Sequence, residues 1–418
     1  MRWVYSFFLY LIMPYLYFRL WWKGRKLASY KERINERFML GSLSPLNVDI
    51  WIHAVSLGEV ISIIPLVDEL LDKNKSILIT TMTPTGAAKI EQYFGAKVTH
   101  RYIPYDISFA VKRFFKKIKP KVAIIVETEL WPNLIYFTRK AGIPLLLINA
   151  RLSPRSYQGY RKLRFLIKPI LQKFTHILVQ TETDALRFKN LSANAENVKV
   201  VGNLKFDLKT KYVNNDIFMT LKNLWGEKRP ILIAASTHEN EEELILSNLK
   251  QLQKDIPNIL LLIAPRHPER FNKVEELSKN WGFKTGLRSQ IQSLSNNPDV
   301  VIIDSLGELL GFYQISDYAF VGGSLVPVGG HNVLEPIAMQ IPVLSGPYVH
   351  NFKDICKELS EASAIILIND AKQLVVKVNS LHSDRVKKMQ LINQANEILQ
   401  KNKGALKRYL KIIESYLI

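Results

Sequence analysis

The sequence predicts an α/β protein made of two doubly wound, parallel-sheet domains. Short apolar runs, β-branched or leucine-rich throughout, alternate with amphipathic helical patterns, as strands buried on both faces of a parallel sheet require. The alternation stops at a polar stretch, 207–229, and then restarts. The length, 418 residues, suits two or three domains of ordinary size.

At the N-terminus, Trp3 to Phe18 carry no charge, and Arg19, Lys23, Arg25 and Lys26 follow. As a helix, Trp3 to Trp22 extends about 30 Å, one hydrocarbon core. No small-residue cleavage site follows, which argues against a removable signal peptide. The basic flank keeps the rest of the chain on the cytoplasmic side. Residues 1–24 are therefore expected to anchor the chain to a membrane, by spanning it or, given Pro14 and the Tyr/Trp content, by lying in the interface. The first domain, 25–206, offers strands at 50–55, 76–81, 122–127, 144–149 and 176–181, and VKVVGNLKFD at 198–207 closes it. After the expected linker at 207–229, the second domain, 230–395, offers strands at 230–236, 259–265, 299–304, 317–323, 341–346 and 364–369. The last 40 residues read as helix, ending in a Lys-rich amphipathic segment around Lys401 to Tyr416, and 396–418 are expected to form a separate C-terminal helix.

Apolar residues at 47% and charged residues at 22% exclude a disordered tail, a fibrous repeat and a polytopic membrane protein. A net charge of +20 points to anionic partners: nucleic acid, anionic lipid or phosphorylated substrates. Two acid-free basic clusters, Lys112 to Lys121 and Arg151 to Lys173, both fall in the half that carries the anchor and favour a phosphate-rich surface. The repeats of nucleic-acid readers are absent. The single Cys356 fits a reducing compartment, and no Cys/His set has zinc spacing.

In open α/β sheets, ligands sit beyond the carboxyl ends of the strands, so the chemistry is sought there. Glu59 of HAVSLGE stands at a helix start, where it either meets a substrate or merely complements the helix dipole. Glu127 and Glu129 of ETELWPN end a buried strand. In the second half, Ser236-x-x-Glu239 has a capping-box pattern, and Ser236 and Thr237 stand where a phosphate could bind. Arg266 follows Pro265 at another strand end. Gly322, Gly323 and Ser324 open a loop with a second glycine pair at 329–330; its free N–H groups are expected to cradle phosphate, with Glu335 accepting from a ribose. The loop matches neither GxGxxG nor GxxxxGK[ST], which removes NAD and P-loop readings. His53, His238, His267 and His331 also lie in such loops, and none is taken as the base.

The ordered segments HAVSLGE, TTMTPTG, ETELWPN, NARLS, GNLKFD, STHENEE, PRHPERF, GELLGFY and FVGGSLVPVGGHNVLEP resemble the Kdo transferases of lipopolysaccharide synthesis. These enzymes move 3-deoxy-D-manno-oct-2-ulosonic acid (Kdo) from CMP-Kdo to lipid A precursor. The resemblance covers nearly the whole chain. It implies a GT-B fold whose last helix crosses back to the first domain. It also implies a metal-independent inverting glycosyltransferase of the inner membrane that needs no cofactor and no obligate protein partner. By matching position, Glu59 is implied as general base, with Glu127 and Lys205 assisting the transition state. Pro265, Arg266, Leu306, Gly307, Glu308 and Asn332, Val333, Leu334, Glu335 are implied as the CMP-binding segments. Another GT-B enzyme, a UDP-sugar transferase or epimerase, is the alternative reading, separable by cytidine against uridine nucleotide binding. A membrane-docked protein without catalysis would account for the charge and the anchor but not for carboxylates and glycine pairs at strand ends.

Overall fold

A computed structural model describes residues 2–26, 28–40, 44–207, 215–293 and 297–417. The chain forms two compact units, one of residues 1–207 with 402–418 and one of residues 208–401.

The first unit holds strands β1 (Leu46–His53), β2 (Ile77–Thr81), β3 (Thr99–Tyr102), β4 (Ile118–Val126), β5 (Leu145–Ala150), β6 (His176–Val179) and β7 (Val198–Val200). They pair in parallel in the order β3-β2-β1-β4-β5-β6-β7, so the winding direction reverses between β1 and β4. Alternate residues feed opposite cores. Trp51, Ile125 and Leu147 point into one, and Ile52, Ile124 and Leu146 into the other. Burial on both faces explains why these strands read as unbroken apolar runs.

The second core is completed from the far end of the chain. Helix Ala405–Glu414 inserts Ala405, Tyr409 and Ile413, spaced one helical turn apart, against the first unit's sheet. The Tyr409 hydroxyl accepts from the Asn149 N–H at 3.1 Å and donates to the Gly202 carbonyl at 3.0 Å. Asp207 accepts the Leu406 N–H at 2.7 Å, at the first turn of that helix.

The second unit repeats the plan with β8 (Ile231–Thr237), β9 (Leu260–Pro265), β10 (Thr285–Leu287), β11 (Val300–Ile302), β12 (Tyr318–Val321), β13 (Val343–Ser345) and β14 (Ile366–Leu367). Their order is β10-β11-β9-β8-β12-β13-β14, again all parallel, with the reversal between β8 and β12.

Three features differ from expectation. Strands β3 and β10 were not foreseen; both are short edge strands, and β3 is only partly buried along most of its length. Within the expected linker, residues 208–214 lie outside the described residues, while Asn215–Trp225 is a helix whose Phe218, Leu221 and Trp225 are buried in the second unit's core. At the N-terminus the expected helix forms over Arg2–Lys26, but among the described residues no helix is long and apolar enough to cross a membrane. That helix lies on the first unit, packing Leu9, Met13 and Leu16 against its core and burying Leu20 there. Ser6 donates to Asn133 Oδ1 at 3.1 Å. The opposite stripe, Trp3, Phe7, Leu11, Tyr15, Phe18 and Trp22, is exposed.

Candidate active site

In the first unit the chemistry gathers where the sheet reverses. Ser56 caps helix Leu57–Asp72, accepting the Glu59 N–H, and this turns the Glu59 side chain back over the end of β1. One carboxylate oxygen accepts from the Val55 N–H at 2.8 Å and the other from the Ser56 hydroxyl at 2.9 Å. Glu59 is 7% exposed. Burial, then the charges of Glu127 and Glu129, push its carboxyl up to about 8, against the pull of those two donors. A carboxylate tuned that high is a proton acceptor matched to near-neutral pH.

Glu127 follows β4 with a left-handed backbone, φ 59°, uncommon for a residue with a side chain. The conformation is held by its N–H, which donates to Ile148 at 2.9 Å. Its carboxylate is gripped by Lys205 Nζ and Arg151 Nε, each at 3.2 Å. Lys205 sits in the turn Leu204–Phe206, which Asn149 at the end of β5 positions by accepting the Leu204 N–H at 3.1 Å. Glu129 accepts the Trp131 indole N–H at 2.7 Å, and burial raises its carboxyl. Glu59, Glu127 and Lys205 are thus brought together, with Glu129 and Arg151 completing the cluster.

Two motif residues have supporting roles. His53 is fully buried with Nδ1 3.0 Å from the Thr80 hydroxyl, and burial pushes it down to about 4, so it stays neutral. Asn133, last in ETELWPN, gathers Arg2, Ser6 and Ser108 on its side-chain oxygen, while Asp106 caps helix Pro132–Lys140 by accepting the N–H groups of Asn133 and Leu134 at 2.9 and 2.7 Å.

In the second unit the loop amides are not the free cradle expected. The Gly322 N–H donates to Ala235 at 2.8 Å. Those of Gly323, Ser324 and Leu325 donate to the fully buried carboxylate of Glu241, at 2.6, 2.9 and 2.8 Å, as does that of His238 at 3.0 Å. The N–H groups of Gly329 and Gly330 both donate to the Gly323 carbonyl. A Cβ on Gly322 would stand 2.7 Å from the Ser236 carbonyl, so glycine there serves the close approach of the loops after β8 and β12. The capping box read from Ser236 and Glu239 does not form. Helix Glu241–Asp255 starts two residues later, Ser236 has a left-handed backbone, and Glu239 pairs at the surface with Lys273 at 2.7 Å.

Around this staple, the Arg266 N–H donates to the carbonyl of buried Thr237 at 2.9 Å, following Pro265 at the end of β9, and the Arg266 side chain is exposed. Its charge reaches His331 and Glu335. His331 and His238 stack with their Nε2 atoms 2.8 Å apart, and burial followed by Arg266 pushes His331 down to about 4. Asn332 accepts the Leu334 N–H and donates to Glu335, both at 3.1 Å. Val333 and Leu334 bury their side chains. Leu306 is 75% exposed, Gly307 takes φ 86°, and Glu308 is held by Arg288 at 3.0 Å rather than by the other expected nucleotide residues. Among the described residues no cluster of His, Cys, Asp and Glu could hold a metal ion.

Glu241, Arg151 and Asp106 were not foreseen as structural keys. Glu241 had a readable signal, being one of four acids within six residues after a strand, but Glu239 fitted the capping spacing better.

Two all-parallel α/β units, each with a polar cluster at its reversal point, resemble the GT-B architecture of glycosyltransferases. Residues 221–398 match the family model described as glycosyl transferases group 1. Residues 32–208 match the model described as 3-deoxy-D-manno-octulosonic-acid transferase. A 3-deoxy-D-manno-octulosonic acid transferase of Haemophilus influenzae is 40% identical over 400 residues, covering 94% of this chain and 93% of that one. One of Bordetella pertussis is 31% identical and covers 100% and 99%. The chain belongs to the Kdo transferase family and is a glycosyltransferase. The crystal structure of Acinetobacter baumannii MurG, 12% identical with TM-score 0.54, covers 89% of this chain and 100% of that one and shares the fold alone.

Proposed function

We propose that the chain transfers Kdo, one or more units, from CMP-Kdo to the 6′-hydroxyl of a phosphorylated lipid A precursor, with inversion at the anomeric carbon. The observation that carries this reading is Glu59: a buried carboxyl pushed up to about 8, held by two donors at the reversal of the first sheet. Glu59 takes the proton of the acceptor hydroxyl as its oxygen bonds to C2 of Kdo, a step worth about 10²–10⁴-fold. The C2–O bond to CMP breaks, and the phosphate leaves with the electron pair. Lys205 and Arg151 pair with Glu127, so that Glu59, which must be ionised before it takes the proton, does not face an unbalanced second anion. The cytidylate is assigned to Arg266 and the Asn332–Glu335 turn of the second unit.

The same reading locates the chain at the cytoplasmic face of the inner membrane. The exposed stripe from Trp3 to Trp22, backed by a helix face packed on the protein, suits a helix lying in the interface rather than spanning. The exposed basic residues around helix Pro154–Lys162 suit anionic lipid.

The test is a transfer assay with CMP-Kdo generated in situ and tetraacylated lipid A precursor, read by mass spectrometry. A ladder of Kdo adducts is expected. A protein that binds CMP without producing any adduct would overturn the acceptor or sugar assignment, and absence of CMP binding would overturn the donor.

A further inference from the structure

Beside the N-terminal helix lies a cavity of about 180 Å³ to which the transfer chemistry assigns no role. Its wall includes Arg19 and Lys23 of that helix, Arg37, Tyr30, Tyr105 and Thr83, and none of its lining residues is acidic. It is smaller than the pockets of drug-sized ligands, which start near about 300 Å³, and suits a compact headgroup.

Arg37 is the unusual member. It is 1% exposed, its Nη1 donates to the Met82 carbonyl at 2.8 Å, and its guanidinium lies over the Tyr102 ring at 3.8 Å. Its Nε and Nη2 are buried without a hydrogen-bond partner. A buried cation with two unpartnered donor nitrogens is unfavourable by itself and becomes favourable when an anion completes it. The neighbouring carboxylate does not do so: Glu36 is engaged by Arg33 at 2.7 Å and by the Tyr102 N–H at 2.8 Å. A guanidinium fork with two flanking cations matches a phosphate oxyanion better than a single carboxylate.

Two further observations say where that phosphate comes from. Exposed Arg19 and Lys23 follow the exposed aromatic stripe directly, at the depth where a helix lying in an interface meets headgroups. The cavity wall is also wired to the base: the Val55 carbonyl accepts the N–H groups of Met82 and Thr83 at 3.1 and 3.3 Å, while the Val55 N–H donates to Glu59. An anion seated beside Thr83 therefore belongs to a molecule whose other groups lie one loop away from Glu59.

We propose that this cavity seats a phosphate group of a lipid, with Arg37 as the buried fork and Arg19 and Lys23 as outer clamps. Resting on the Kdo-transfer reading, the phosphate is the acceptor's own, which makes the cavity a specificity element for a phosphorylated sugar lipid.

The test is co-sedimentation of the full chain, without donor, on neutral phosphatidylcholine vesicles of three kinds. These are doped with a phosphorylated glucosamine-disaccharide lipid, with its dephosphorylated form, or with phosphatidylglycerol at the charge of the first. Arg19→Gln/Lys23→Gln alters two exposed side chains and leaves the core untouched. The variant is expected to lose about tenfold in affinity for the phosphorylated disaccharide lipid, to bind the dephosphorylated lipid as wild type does, and to lose little on phosphatidylglycerol. An equal loss on phosphatidylglycerol would overturn the acceptor assignment and leave a general phosphate seat. No difference between variant and wild type on the phosphorylated lipid would overturn the seat itself. Because binding is read without donor, failure of Kdo transfer in a separate assay leaves this result standing.

Discussion

Each unit places a buried glutamate in the first turn of the helix that follows the strand at its sheet reversal, Glu59 after β1 and Glu241 after β8, and the two have different surroundings. Glu59 receives one backbone N–H and one hydroxyl and sits near two other carboxylates, so its proton is held tightly. Glu241 receives four backbone N–H groups and ties the loops after β8 and β12 together. The number and kind of donors separate a proton acceptor from a loop staple.

The largest expected effect tests the first half of this contrast. Glu59→Gln should lower transfer by at least about 10²-fold while CMP binding persists, measured by single-turnover kinetics and calorimetry. In the wild type, transfer should rise as pH increases through about 8, because the base must be deprotonated. Stability carries the opposite sign. Between the ordinary 4.5 and about 8 the native state holds a proton that the unfolded chain has released. This group's contribution is therefore fully present below 4.5 and is lost as pH rises through about 8, and Glu59→Gln should remove that slope in denaturant titrations.

Glu241→Gln tests the second half. The amide turns an NH₂ toward backbone donors, at about 1–3 kcal/mol for each N–H left unpaired. The denaturation midpoint should fall and nucleotide binding weaken with it. A normal midpoint would show that the loops hold without the staple.

Lys205→Met sharpens the comparison from outside. It leaves Glu127 to Arg151 alone, raises the negative field at Glu59, and should shift the acid limb of the rate profile to higher pH. An unshifted limb would uncouple Lys205 from the base. The smallest effect is expected from Glu239→Ala, which removes a solvent-facing partner of Lys273 and should leave the melting midpoint where it was.

Among the described residues twelve of the fourteen strands were readable, most of them because burial on both faces writes an uninterrupted apolar run, as in Ile50 to Ile52 and Ile231 to Ala235. The two strands that were missed, β3 with Thr-His-Arg-Tyr and β10 with Thr-Gly-Leu, are short edge strands that carry no such run. Helix Asn215–Trp225 was missed because the mostly polar residues 207–214 before it and 226–229 after it read as a linker, although Phe218, Leu221 and Trp225 carry helical spacing. Of the candidate site, Glu59 and Glu127 were legible as carboxylates at strand ends, while Lys205 and the roles of all three came from the family resemblance of their motifs. The role of Glu241 was not legible, because three of its four amide donors come from Gly323 to Leu325, more than eighty residues away, and local spacing contains no trace of that convergence. Arg37 escaped for the same reason, its cavity being assembled from four segments of the chain.

The helix that carries Tyr409 has a consequence for how the molecule is made. Because residues 402–418 complete the core begun by residues 1–207, the intervening 194 or so residues form an insertion within a single folding unit. On the ribosome, the second unit's residues are all polymerised before the first unit receives its last layer. Until then Leu204, Val201 and Ile148 lack the side chains that cover them in the finished protein. A nascent chain arrested at residue 207 should therefore be a client for chaperones, while one arrested beyond 418 should not.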